Sequence, residues 1–422
     1  MSGRRIVIVG NGVAGATCAL ELRARDARAQ IQMLSDESDY FFSRTALMYA
    51  LMDKLPRKGL EPFERHVWDR QGIERVRGRA KSIDGAPSSL ALEDGRSLAF
   101  DALVLATGAR ARSLSIPGID RVREGITSFV TLGDLDRCEA LIPSTQRAVV
   151  VGGGLIGVEL VECLVHHGVH TTWLVRERWP WPAGLGEHEG RLIVDHLKKH
   201  RVDVRLEAEL TAVEADANGR VKSVALSSGE RLSCELLGLA IGVEPNVQWL
   251  ASSANKPEIQ GGIIVDDRLR TSLPSVWAAG DCAVVKSDEA LVHEPIWYTA
   301  KRHGAFVARQ ITGSTERYRA PVFKNSAKFF ELEYTAVGEA APSRRASVLL
   351  AEKSGPRCAR LFHEDGVLTG FSAVGSRWDS TVIARWIDER RPLDWVRERL
   401  REAQFDPEFS RAKVEHFEER AR

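Results

Sequence analysis

Two apolar strands that each stop at a Gly-x-Gly-x-x-Gly turn constrain this chain more than any other feature. Residues 6–9, Ile-Val-Ile-Val, end at Gly10-x-Gly12-x-x-Gly15, and the Ala/Leu-rich run 14–22 reads as the helix that follows. Residues 149–151, all valine, end at Gly152-x-Gly154-x-x-Gly157, with a helix running on through Leu164. A short β-branched run closed by glycine is the pattern of a buried parallel strand. The first glycine permits the tight turn, the second lets backbone N–H groups approach a pyrophosphate, and the third lets the helix lie close on the strand. The helix N-terminus adds partial positive charge. Val13 and Ala14, and Leu155 and Ile156, complete the two loops. One fingerprint is weak, but two in the right context, about 140 residues apart, imply two dinucleotides in one chain.

The segments after each fingerprint carry further signals. A strand at 31–34 is closed by Ser35-Asp36-Glu37. An acid ending that strand hydrogen-bonds a ribose hydroxyl, and both Asp36 and Glu37 are placed for it. In the second unit the corresponding strand, 171–175, ends in Arg176-Glu177-Arg178. A guanidinium matches a 2′-phosphate in a bidentate fork and a carboxylate repels it, so Arg176 and Arg178 point to NADPH. Glu177 keeps NADH open. Tyr40, Phe41, Phe42 and Arg44 read either as a wall around a flat ligand with a cation near its phosphates or as an ordinary core entry. Three more strands end in glycine turns: one at Thr107-Gly108, one at Gly242-Val-Glu-Pro-Asn246, and the short apolar strand within 276–282 at Gly280-Asp281. The last carboxylate suits a chain of ribityl hydroxyls.

Residues 78–98 read as a meander turning at Asp84-Gly85 and Asp94-Gly95, 187–200 as an amphipathic helix, and 202–226 as strands. From Ala320 the pattern changes to strands at 327–337, 347–352, 359–363 and 367–374, followed by helices at 380–390 and 393–403. The expected fold class is α/β: two Rossmann-like three-layer dinucleotide-binding domains plus a C-terminal α+β domain. The expected boundaries are 1–117 with 251–319 for the first, 118–250 for the second and 320–422 for the third.

Composition excludes other classes. A net charge of +1 over 422 residues gives no basic field for nucleic acid. No apolar stretch is long enough to span a bilayer. The first strand stops at Gly10 without a cleavage site, so it is not read as a signal peptide. Cys18, Cys138, Cys163, Cys234, Cys282 and Cys358 form no CxxC, and no Cys/His grouping has zinc spacing, so no metal is expected and reduced thiols fit a cytoplasm. His166, His167 and His170 read as histidines at a helix end, and the stripe Leu393, Val396 and Leu400 as packing on its own domain rather than on a membrane surface.

The chain resembles the pyridine nucleotide–disulfide oxidoreductase superfamily of flavoprotein reductases. The residues that carry the resemblance are GNGVAG at 10–15, Ala106-Thr-Gly, VGGGLIGVE at 151–159, Gly242-Val-Glu-Pro-Asn and Ala279-Gly-Asp281. The resemblance implies FAD on the first fingerprint, with Asp281 and Arg44 near it, and a nicotinamide nucleotide on the second, with Glu159 near the nicotinamide. The Pro295 turn puts Trp297 and Tyr298 at a helix start beside the strand of Asp281, and one of the two is expected to line the flavin. It also implies a C-terminal domain that forms a homodimer interface. Tyr40 to Leu47 is similar to the ferredoxin-, rubredoxin- and nitrite-reductase-type branch, which carries Tyr-x-Arg-x-x-Leu there. Disulfide reductases need a cysteine after the second strand, and this chain has Ser43. The expected activity is FAD-dependent NAD(P)H oxidation, with hydride passing from nicotinamide to flavin N5 and electrons leaving to an unidentified acceptor: an iron–sulfur protein, a quinone or a small molecule. No side-chain acid or base is assigned. The alternatives are a disulfide- or peroxide-type reductase and a nucleotide-sensing flavoprotein with weak turnover.

Overall fold

A computed structural model describes residues 3–84, 88–287, 290–341, 346–352 and 355–404, and the backbone of 418–419. Gly85 of the expected Asp84-Gly85 turn lies outside the described residues. The chain divides into two compact units.

The first unit combines the N-terminal segment to Arg112 with Val130–Leu132 and Val243–Arg319. Its central sheet has five parallel strands in the order Val276–Ala278, Ala102–Leu105, Arg5–Val9, Gln30–Ser35 and Ile73–Arg77. Arg5–Val9 is paired on both edges, and Ile6, Val7, Ile8 and Val9 are no more than 5% exposed. Burial of each such side chain contributes about 1.5–3 kcal/mol. Helices Val13–Arg25 and Trp297–Ile311 pack together where Gly304 meets Ala14; a Cβ on Gly304 would lie 2.2 Å from the Ala14 carbonyl oxygen. The 78–98 stretch forms an antiparallel meander of Ala80–Asp84, Ser89–Leu92 and Ser97–Ala99.

The return to this unit comes at Val243 because Val243–Pro245 pairs antiparallel with Ala109–Ala111. The boundary expected from the sequence is 251. Val130–Leu132 joins the unit through two side chains. The Leu132 N–H donates to Glu37 Oε1 at 2.9 Å, and Arg44 donates to the Val130 carbonyl at 3.0 Å.

The second unit contains Ser113–Phe129, Gly133–Gly242 and Ala320–Arg422. It too has a five-stranded parallel sheet, ordered Asp203–Leu206, His170–Val175, Arg147–Val151, Leu236–Leu239 and Ile126–Thr127. An antiparallel sheet of Leu210–Ala215, Val221–Leu226 and Arg231–Ser233 accompanies it. The C-terminal segment builds a six-stranded antiparallel sheet ordered Lys324–Phe329, Leu332–Gly338, Val367–Val374, Cys358–Glu364, Ala346–Ala351 and Glu418–Glu419.

The run read as strand over 327–337 is a hairpin that turns at Phe330-Glu331. No Asn-Gly or Asp-Gly pair marks that turn, and Phe330 itself takes φ +55°. Asp379 caps helix Ser380–Asp388 by accepting from the Thr381 and Val382 N–H groups. Val396 and Leu400 are buried with Trp378, Ile383 and Trp386 against Leu361 and Phe371, with Leu393 packed beside them, so the apolar stripe faces its own sheet.

This C-terminal segment packs with the second dinucleotide fold rather than standing apart. Arg360 donates to both Glu189 oxygens, at 2.7 and 2.9 Å, and the Tyr334 hydroxyl donates to the Gly184 carbonyl at 2.9 Å. Among the described residues no helix is long and apolar enough to cross a membrane.

Candidate dinucleotide-binding sites

The two glycine loops fold alike. Gly10 has φ +106°, and a Cβ there would sit 2.1 Å from the Ala106 carbonyl oxygen; Gly152 has φ +120°, with Ala240 O at 2.1 Å. The third glycines are as tightly confined, Gly15 against Gly10 O at 1.9 Å and Gly157 against Gly152 O at 2.1 Å. These four are glycine because the chain's own backbone leaves no room.

Gly12 and Gly154 differ in kind. Their backbones are ordinary extended ones, φ −66° with ψ −175° and φ −89° with ψ −177°, which any residue adopts. A Cβ on either would meet nothing within 4 Å. Each is also the N-cap of the following helix, Val13–Arg25 or Leu155–His166, with no side-chain cap. The first N–H groups of both helices therefore have no side-chain cap from these positions, and such free N–H groups are what a pyrophosphate uses. The residues present fit two dinucleotides, one per unit.

Around the first loop, Asn11 is buried and its Nδ2 donates to the Ser38 carbonyl at 2.6 Å, tying the glycine turn to the segment after Gln30–Ser35. Asp36 is ion-paired with Arg79 at 2.7 Å and is half exposed. Glu37 is less exposed and engages Arg44 as well as the Leu132 N–H. Arg44 also lies over the Phe42 ring, 4.8 Å from its centroid. Thr107 donates to the Asn246 carbonyl at 2.7 Å, and the Asn246 N–H returns a bond to Gly108 O at 2.9 Å.

Gly280 has φ +80°, and its position abuts Ala14 and Ala300. Burial holds the Asp281 carboxyl above its ordinary value, while the His293 and Arg44 charges pull it down. The structure thus brings Gly10, Gly12, Val13, Ala14, Gly15, Gly280 and Asp281 to one end of the first sheet, with Arg44 close enough to act on Asp281. Trp297 starts its helix half-buried, edge-to-face with exposed Tyr298 at 5.4 Å and with Lys301 over its ring.

Sequence reasoning missed His303. Its Nδ1 accepts the Gly280 N–H at 3.3 Å. Burial, aided by the Arg302 charge, pushes its pKa down to about 4, so the ring is neutral and free to accept. The signal available was a histidine beside the small residue Gly304, on the helix after the Gly280-Asp281 turn.

In the second unit, Arg176 pairs with Glu177 at 3.1 Å and Arg178 lies 3.7 Å from Glu207, all at the surface. Leu155 and Ile156 open the helix, partly exposed. Burial, with repulsion from Glu162, pushes the Glu159 carboxyl up to about 7. Gly242 follows Leu236–Leu239 with φ +99°. Among the described residues all six cysteines are buried.

The family model described as pyridine nucleotide-disulphide oxidoreductase matches residues 4–304. The rubredoxin-NAD(+) reductase of Pseudomonas putida is 30% identical over 338 residues, covering 78% of this chain and 85% of that one. The biphenyl dioxygenase system ferredoxin–NAD(+) reductase component of Paraburkholderia xenovorans is 33% identical over 284 residues, 66% of this chain and 67% of that one. Among solved structures, a ferredoxin reductase from Rhodopseudomonas palustris superposes with a TM-score of 0.81 at 25% identity, covering 88% of this chain and 91% of that one. With a family match over both fingerprints and relatives of this extent, the chain belongs to the pyridine nucleotide-disulphide oxidoreductase family and is an oxidoreductase.

Proposed function

We propose that this chain is an FAD-dependent NAD(P)H reductase that passes electrons to a small iron–sulfur or rubredoxin-type protein. The observation that carries the reading is the pair of helix N-termini behind Gly12 and Gly154, neither with a side-chain cap and each with room for a ligand beside its glycine. FAD, when bound, supplies acceptance of a hydride and release of electrons one at a time. The chain's part is to hold and orient. Gly10 to Gly15 would take the FAD pyrophosphate, Glu37 or Asp36 the ribose, and Asp281 the ribityl chain. Arg44 would lie near the phosphates, Thr107 and Gly108 beside the same strand ends, and Trp297 by the ring. Gly152, Gly154 and Gly157 would take the nicotinamide nucleotide. Glu159, near neutrality in pKa, can hold or release a proton close to it.

On the nucleotide, register favours NADH. Val9 pairs with Leu34 and Val151 with Leu174, so Asp36 and Glu37 correspond to Arg176 and Glu177. The same position in both units therefore carries a glutamate, and the relatives named above are NAD(+) reductases. Arg176 and Arg178 favour NADPH as the second reading. A protein acceptor is supported by the relatives' names; a quinone or small molecule is the alternative. A homodimer through residues 320–422 belongs to the reading and is checked by sedimentation.

Anaerobic stopped-flow mixing with NADH and with NADPH tests the function. Loss of the oxidised-flavin absorbance with NADH, and faster than with NADPH, is expected. If neither nucleotide bleaches the flavin, the reading is wrong.

A further inference from the structure

Helix Glu187–Lys199 and its C-cap carry His196 and His200, four residues apart and so on one helical face. Their rings lie 4.8 Å apart, centroid to centroid. Across from them stands Glu331, at the turn of the hairpin formed by Lys324–Phe329 and Leu332–Gly338. Glu331 Oε2 is 3.0 Å from Nε2 of His196 and 3.0 Å from Nε2 of His200. All three donor atoms lie within 4.8 Å of one another. A count of cysteines and Cys/His clusters does not register this group, because its third member is a carboxylate over a hundred residues away in sequence.

We propose that His196, His200 and Glu331 bind one divalent transition-metal ion of the zinc class. Two imidazoles and one carboxylate are the donors such ions take, whereas calcium and magnesium prefer all-oxygen shells. Metal–ligand bonds near 2.0–2.1 Å put tetrahedral donors about 3.3 Å apart. The two nitrogen–oxygen separations are already within a few tenths of an ångström of that, and the imidazole pair closes by side-chain rotation. Glu331 is 69% exposed, which leaves the fourth position to water.

The local backbone supports the site. Phe330 takes φ +55°, a conformation a bulky residue adopts only when its surroundings impose it. Its ring is buried and stacked on His200 at 4.5 Å, and it meets His196 edge-on at 6.4 Å. The strained turn thus fixes one imidazole and aims the next residue, Glu331, at both. A bound ion would clip the helix to the C-terminal sheet within one unit and stabilise the fold by mass action. The buried cysteines are out of reach of added metal.

The test uses the full chain with its flavin, stripped of metal by chelator and titrated with zinc chloride by calorimetry, with the thermal midpoint followed in parallel. One zinc per chain and a raised midpoint are expected. Glu331→Gln keeps the exposed turn intact and should weaken zinc binding at least tenfold. The paired change His196→Asn with His200→Asn should abolish both the stoichiometric site and the midpoint shift. Flavin content and its reduction by NADH should stay unchanged in all variants, which separates this inference from the proposed function. Absence of stoichiometric zinc in the unaltered chain, or undiminished binding in Glu331→Gln and the paired variant, would show a hydrogen-bonded cluster only and overturn the proposal.

Discussion

Gly154 is where the demands of the fold and of the ligand come apart. Its extended backbone accommodates any residue, and a Cβ there meets nothing within 4 Å. Gly154→Ala therefore meets no steric obstacle in the fold, and its restriction of the unfolded chain, about 0.4–1 kcal/mol, offsets the poorer N-cap that alanine makes. The methyl group instead occupies the approach to the N–H groups at the start of helix Leu155–His166. Loss of one hydrogen bond to a charged phosphate costs about 1.5–3 kcal/mol, or roughly ten- to hundredfold in nucleotide affinity. Titration of the purified protein with NADH, with flavin content and thermal midpoint measured on the same samples, provides the assay. The expected result is normal flavin content, a nearly unchanged midpoint and the weakened nucleotide affinity. Gly152→Ala is the contrasting change: φ +120° and a Cβ 2.1 Å from Ala240 O should cost the fold itself. Gly154→Ala with wild-type nucleotide affinity, or with a collapsed fold, would refute the reasoning.

Two further outcomes are expected. Glu159 titrates near 4.5 when unfolded and near 7 when folded, so stability falls as pH rises through that window, and the full cost of about 3 kcal/mol is present above it. Glu159→Gln should have a higher urea midpoint than wild type at about pH 8 and a converging one at about pH 5; a constant difference at both would count against the assignment. Arg360→Met leaves Glu189, with a side chain 2% exposed, charged and stripped of its bidentate partner, at a cost of about 3–5 kcal/mol. Adding Glu189→Met should recover most of that loss in thermal unfolding, and a single change with no measurable effect would contradict the buried-pair argument.

The parts legible from sequence are those in which a local rule and a global need coincide. Buried strands at 6–9 and 149–151, ending at glycines with no room for a Cβ, declare both topology and loop at once. What stayed hidden depended on distant residues. The choice between Asp36 and Glu37 turns on Arg79 and on the Leu132 N–H, which spacing cannot reveal. His303 acquires its role only when its helix comes to lie beside the Gly280 turn. The hairpin at Phe330-Glu331 carries a bulky residue where turn chemistry favours glycine, so an alternating strand pattern ran through it. The return at Val243 is set by a three-residue ladder to Ala109–Ala111, too short to leave a compositional trace.

The family takes its name from disulfide chemistry, and the cysteines of this chain bear on whether it can perform any. The reactive species of a thiol is the thiolate. Burial pushes Cys138 and Cys234 up to about 12, which keeps both as thiols at neutral pH. Cys282, next to the Gly280-Asp281 turn, is raised as well, and its Sγ lies 3.3 Å from the Leu105 carbonyl oxygen as donor. After the strand Gln30–Ser35, where a redox cysteine would stand, Ser43 shares a hydrogen bond with Thr45 at 3.0 Å. Burial of all six cysteines and a serine at position 43 favour the proposed reading over a disulfide-type reductase. In that reading electron transfer is left to the two nucleotides and an external acceptor, and the protein would contribute the two glycine cradles, the neutral His303 that holds the Gly280 turn, the carboxylate of Glu37 or Asp36, and that of Asp281.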